Sequence, residues 1–236
     1  MKKLLAVCLL MLLAGALGPS ALANLIGTTP ANPGDTVFPG DATGDVPGTL
    51  LASLSAPFVS SLGTDSGTVV SAVYQESGGT LDFYYQVTNN VTAPNCGLPG
   101  QQPCDPLARV TATNFFGFTT ALGFRSDGGT LGGASPFVDG VVTPFTGDRN
   151  SVGDVVGFSF TPPDSSKIQP GETSLVLVIS TNATNFKPGN VSVIDGGVTT
   201  VASFEPAAPV PEPTSLALLG SGLVGAFGAI RKKLRK

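Results

Sequence analysis

The chain contains no histidine and no tryptophan. The first absence removes the commonest general base, the base of the usual nucleophile triad and the commonest nitrogen ligand of zinc. The second removes the usual sugar-stacking ring and leaves Tyr74, Tyr84 and Tyr85 as the substitutes. Cations are scarce away from the two ends. Of twelve lysines and arginines, only Arg109, Arg125, Arg149, Lys167 and Lys187 lie between residues 24 and 212, where all sixteen acids fall. Five cations against sixteen acids give this stretch a net charge of −11. Nucleic-acid binding depends on neutralising phosphates, so no nucleic-acid partner is expected. Long helical periodicity is also missing between residues 24 and 209, and no repeat of solenoid or propeller length occurs.

Cysteine is limited to three residues, and Cys8 sits inside an N-terminal apolar run. The remaining pair, Cys96 and Cys104, lies in the Pro/Gly-rich stretch from Pro94 to Pro106. Two cysteines without histidine supply only half of a tetrahedral metal set, whereas an even pair in an oxidising compartment reads as a disulfide. No metal and no cofactor are expected.

The ends carry the long hydrophobic runs. Met1-Lys2-Lys3 precedes an apolar stretch from Leu4 to Leu17, followed by Gly18-Pro19-Ser20-Ala21-Leu22-Ala23. A charged start, a short apolar run and small residues at Ala21 and Ala23 make a secretory signal peptide over residues 1–23, cut by signal peptidase after Ala23. At the other end, Val210-Pro211-Glu212-Pro213 leads into an apolar run from Leu216 to Ile230 and then a basic stop of Arg231, Lys232, Lys233, Arg235 and Lys236. As a helix, fifteen residues reach about 22 Å at 1.5 Å per residue. With Thr214 and Ser215 added, a short transmembrane helix over about 214–230 is expected, its cationic end on the cytoplasmic side and the preceding domain outside.

The tail closely resembles the PEP-CTERM sorting signal of bacteria that make exopolysaccharide. The likeness rests on Pro211-Glu212-Pro213, the Leu216-Ala217-Leu218-Leu219-Gly220 opening of the apolar run and the basic terminus, and covers residues 210–236. It implies recognition by an exosortase, a membrane-embedded cysteine enzyme that cleaves near the motif. The segments Leu81–Val87 and Ser180–Phe186 resemble secreted proteins bearing the same tail, and that resemblance brings no enzymatic activity.

Between the ends, residues 24–209 are long enough for one domain. Strand patterns recur at Thr68–Tyr74, Thr80–Thr88, Arg109–Asn114, Thr119–Phe124, Phe137–Thr143, Asp154–Phe160, Ser174–Ser180, Val191–Ile194 and Val198–Phe204. In Leu81–Thr88, residues Leu81, Phe83, Tyr85 and Val87 share one face and Asp82, Tyr84, Gln86 and Thr88 the other, as a half-buried strand requires. Gly78-Gly79 and Asp195-Gly196-Gly197 read as hairpin turns. With 31 glycines and 20 prolines as punctuation, the expected fold is all-β, an antiparallel β-sandwich of jelly-roll or immunoglobulin-like outline. Residues 24–48, rich in Gly, Pro, Asp and Thr, read as a loose lead-in.

Asp35, Asp41, Asp45, Asp127, Asp148 and Asp164 sit among turn residues, and none has EF-hand spacing. The expectation is an exported envelope or extracellular protein, tethered to the membrane before processing. Its domain would serve as a non-enzymatic structural or binding module of the surface, with exopolysaccharide as the matrix partner. The alternatives are a secreted hydrolase using carboxylates alone and a calcium-binding module.

Overall fold

A computed structural model describes residues 27–131 and 135–208. The expected signal peptide with Ala21 and Ala23, the expected hydrophobic helix and the motif Val210–Pro213 with its basic stop lie outside the described residues. Among those described, the chain forms thirteen strands. Short ones open it, β1 (Thr29–Pro30), β2 (Thr36–Val37) and β3 (Gly40–Asp41), followed by the long β4 (Thr49–Val59), β5 (Ser66–Gln75) and β6 (Leu81–Asn89). Next come β7 (Arg109–Ala112), β8 (Thr120–Arg125), β9 (Thr146–Arg149) and β10 (Val156–Ser159), and then β11 (Val176–Thr181), β12 (Asn185–Ile194) and β13 (Val198–Ala207).

They make two sheets. One runs β1-β8-β11-β6-β5-β4 with β3 beside β8, and the other runs β13-β12-β7-β10-β9-β2. Every strand pairing is antiparallel except β3 with β8. The shared core draws Val73, Phe83, Tyr85, Leu177 and Ile179 from the first sheet and Val110, Phe158, Val191 and Val193 from the second. This is sheet packed on sheet, as the period-two patterns require. The turns behave as read: Gly79, at φ 84°, donates to the Glu76 carbonyl and closes β5–β6, and Gly196, at φ 123°, sits in the tip of β12–β13. Both positions use backbone conformations that a Cβ disfavours.

Four features differ from the sequence expectation. Phe137–Thr143 forms no strand: the side-chain amide of Gln86 holds Val138, donating to its carbonyl (2.7 Å) and accepting from its N–H (3.0 Å), and an isolated bridge joins Val142 to Ser174. Residues 27–48, expected to be loose, carry β1, β2 and β3 and touch both sheets through β8 and β9. The strand β4 went unread although Leu50, Ala52, Leu54, Ala56 and Phe58 alternate through it. It pairs only with β5, as an edge strand containing Pro57 can, with a register shift between Leu50 and Ala52.

The fourth correction concerns the polar face of β6. Asp82, Tyr84 and Gln86 are as buried as Phe83 and Tyr85. The segments around Ala42, Leu131 and Phe137 cover the outer side of the first sheet and pack on Tyr74, Tyr84, Val176 and Val178. Tyr74 and Tyr84 stack there with ring centroids 4.6 Å apart. The strand is therefore buried on both sides, and a third layer explains why.

Candidate functional site

Three groupings of chemically capable side chains emerge among the described residues. The first lies at the end of the sandwich formed by the β4–β5 turn, the β12–β13 tip and the cysteine loop. Cys96 and Cys104 are disulfide-bonded, with Cα atoms 4.9 Å apart. The loop they close is laced to the turn before β5: Asn95 N–H donates to the Gly63 carbonyl (2.8 Å) and Asp105 N–H to the Thr64 carbonyl (2.9 Å). Closing so short a loop contributes roughly 2–3 kcal/mol by chain entropy. Reduction is accordingly expected to lower the melting temperature, and alkylation without reductant to leave both cysteines unmodified. Two freely reactive thiols in the folded protein would remove the assignment.

Beside this loop, a cavity of about 210 Å³ is lined by Ser60, Leu62, Thr64, Asp105, Asp195 and Val198. Asp65 lies buried next to it, 2% exposed, and its Oδ1 has no hydrogen-bond partner. Burial pushes its carboxyl up to about 7, helped by a hydrogen bond shared with Asp195 and by the charges of Asp195 and Asp105, against the Ser60 hydroxyl. Sequence reasoning missed this group, because nothing in Gly63-Thr64-Asp65 separates it from an ordinary turn aspartate.

The second grouping is in the covering layer. Asp82 is fully buried, its Oδ1 accepting from the Ser180 hydroxyl (2.6 Å) while Oδ2 has no partner. Desolvation raises its pKa well above the ordinary value, and the nearby Glu76 adds to the rise. The Glu76–Asp82 pair is the arrangement a histidine-free hydrolase would need. Asp82 does not line the cavity beside the cysteine loop, and Glu76 accepts from the Gly48 N–H (3.1 Å). Tyr74, Tyr84 and Tyr85 are likewise enclosed, at most 1% exposed, and Tyr85 donates its hydroxyl proton to the Phe204 carbonyl across the core (3.0 Å). They offer no stacking platform.

The turn aspartates form the third set, and each is occupied locally. Asp35 accepts from the Asn32 N–H and side-chain amide, Asp41 from the Thr43 N–H, and Asp45 from the Gly27 N–H. Asp127 accepts from the Gly44 N–H and from Arg125, and hydrogen bonds to those groups hold its carboxyl below the usual range despite partial burial. Asp148 pairs with Arg109 and Asp164 with Lys167. Among the described residues no three acids or cysteines converge as a metal-holding group.

The described domain thus offers enclosed acids and locally occupied turns, and the strongest functional signal lies beyond its last strand. Residues 209–233 match the family model of the PEP-CTERM protein-sorting motif. A motif of this kind marks an exported, envelope-directed protein that is sorted by exosortase, a membrane protein. Compared with curated proteins and with solved structures, the chain matches none. Among the described residues no helix is long and apolar enough to cross a membrane.

Proposed function

We propose that the β-sandwich is a non-catalytic structural or binding module of the cell surface or its exopolysaccharide matrix. In this reading it is exported by a signal helix, tethered by a C-terminal hydrophobic helix and released when exosortase cuts near Pro211-Glu212-Pro213. The observation that carries the reading is the motif match at residues 209–233 taken with its position. β13 ends at Ala207, so Val210 and Pro211 follow within a few residues of the folded sheet. At about 3.3–3.6 Å per extended residue, the four residues from Ala207 to Pro211 can span at most roughly 15 Å. A non-catalytic role is supported by the absent histidine and by the local use of the acids.

The hydrolase alternative draws on one observation, the Glu76–Asp82 pair. Enclosure of Asp82 argues against it, because a substrate has to reach a catalytic acid.

Replacing Pro211, Glu212 and Pro213 together with alanine tests the sorting step in the native host. The variant is expected to accumulate in the membrane fraction with Arg231–Lys236 still attached, whereas the parent chain loses that segment, as intact-mass measurement would show. Normal trimming of the variant would overturn the sorting role of the motif.

A further inference from the structure

Four of the five cations in the folded region are spent on carboxylates. Arg109 pairs with Asp148, Arg125 with Asp127 (3.0 Å), Lys167 with Asp164 (2.9 Å) and Lys187 with Glu205 (3.0 Å). Arg149 is the exception among the described residues, and it is buried, at 4% exposure. Its Nε donates to the Gly153 carbonyl (3.0 Å), and its Nη2 to the carbonyls of Phe115 (2.8 Å), Phe118 (2.8 Å) and Gly153 (2.7 Å). Carbonyl dipoles orient a guanidinium and satisfy its donors, but they leave its full charge uncompensated. Burial without an acid nearby accordingly lowers the Arg149 pKa.

The remaining nitrogen, Nη1, makes no hydrogen bond, yet it is not among the enclosed unpartnered atoms, in contrast to Nη1 of Arg125. It therefore keeps access to open space. Arg149 lines a cavity of about 310 Å³ at the loop end of the sandwich, together with Pro30, Pro33, Phe116, Phe118 and Val152. Phe116 and Val152 are 68% and 62% exposed. An aromatic ring and a branched side chain thus stand open to water beside an uncompensated buried charge, in a domain that is otherwise strongly acidic.

We propose that this cavity binds a small carboxylate carried on a ring-sized apolar body, with its charge at Arg149 Nη1 and its ring against Phe116 and Val152. The volume lies at the small end of ligand pockets, enough for one ring and its substituent. A single free nitrogen suits a singly charged carboxylate. A dianionic phosphate would need further cations, and the other four are already paired. The carbonyls of Phe115, Phe118 and Gly153, which crowd the same guanidinium, also disfavour a second negative charge. This site is independent of the sorting tail and does not require the surface-module reading.

The test is a titration of the full chain in detergent micelles with benzoate, followed by amide chemical shifts and compared with benzamide, its neutral analogue. Benzoate is expected to saturate and to move the amides of Gly117, Phe118, Thr119 and Gly153. Benzamide is expected to bind at least about tenfold more weakly. Val152→Trp should fill the mouth and abolish benzoate binding without changing the melting temperature, since Val152 is an exposed turn residue. Arg149→Gln should erase the preference for benzoate; should that variant fail to fold, Val152→Trp and the benzamide comparison still decide. Equal binding of the two probes, no saturation by roughly 10 mM, or undiminished binding to Val152→Trp would overturn the proposal.

Discussion

Replacing Phe83 with alanine is expected to lower the unfolding free energy by about 3–5 kcal/mol, the range for truncating a large aromatic side chain in a packed core. Phe83 is fully buried in β6 and lies between neighbours on both sides, opposite Val73 of β5 and Ile179 of β11. Its ring meets Phe115 edge to face, with centroids 5.7 Å apart. Truncation would remove the ring's own burial, the aromatic contact and the support it gives a residue of the opposing layer. Because β6 is central and covered on both faces, the surrounding strands have little room to collapse into the void. Urea unfolding of the parent and variant chains measures the effect. A loss below about 1 kcal/mol would mean that the site lies at a loose margin of the core, contrary to the packing described.

The second large effect is a pH dependence. In the unfolded chain Asp65 titrates near 3.8, and in the folded domain near 7. The folded state therefore holds its proton more tightly, so stability is fully present below the unfolded value and is lost as pH rises from about 4 to about 7. At 1.36 kcal/mol for each unit of pKa difference, the loss is on the order of 3–4 kcal/mol across that window. Asp82, whose carboxyl is also raised, contributes with the same sign. Asp65→Asn retains the shape and removes the ionisation, so its melting temperature should fall far less between pH 4 and pH 7.5 than that of the parent. Asp195, Asp105 and Ser60 face Asp65 and remain in both chains. Parallel melting curves across that range would show that Asp65 ionises in the folded state without cost.

Much of the sheet framework was legible because strands leave a local signature. The alternation in Leu81–Val87, the apolar run Leu175–Ile179 and the glycine turns at 78–79 and 196–197 each declare themselves within ten residues. The third layer was not legible. It is built from irregular segments around Ala42 and Leu131–Phe137, whose partners lie across the sheet, and such contacts have no period to read. That is why the polar face of β6 was expected to meet water. Gln86 illustrates the same limit: within the strand-like sequence Phe137–Thr143, the backbone of Val138 is held by a side chain about fifty residues earlier in the chain. The sorting tail was the reverse case, since its information lies in the order of a tripeptide, an apolar run and basic residues. Asp65 and Arg149 became distinctive only once folding placed one beside Asp195 and left the other without an acid.

The edge strands decide how crowded copies of this domain behave. A long exposed strand is a template on which another chain can add its own backbone, the first step toward cross-β stacking. β4 presents eleven residues along one margin of the first sheet, which would be a hazard for any protein concentrated outside the cell. Pro57 withholds one N–H from any incoming strand, and the register shift between Leu50 and Ala52 breaks the regular spacing that templating needs. On the second sheet, the outer strand β13 contains Pro206, and β12 beside it contains Pro188. The prolines of the edge strands thus hinder neighbouring molecules from zipping together.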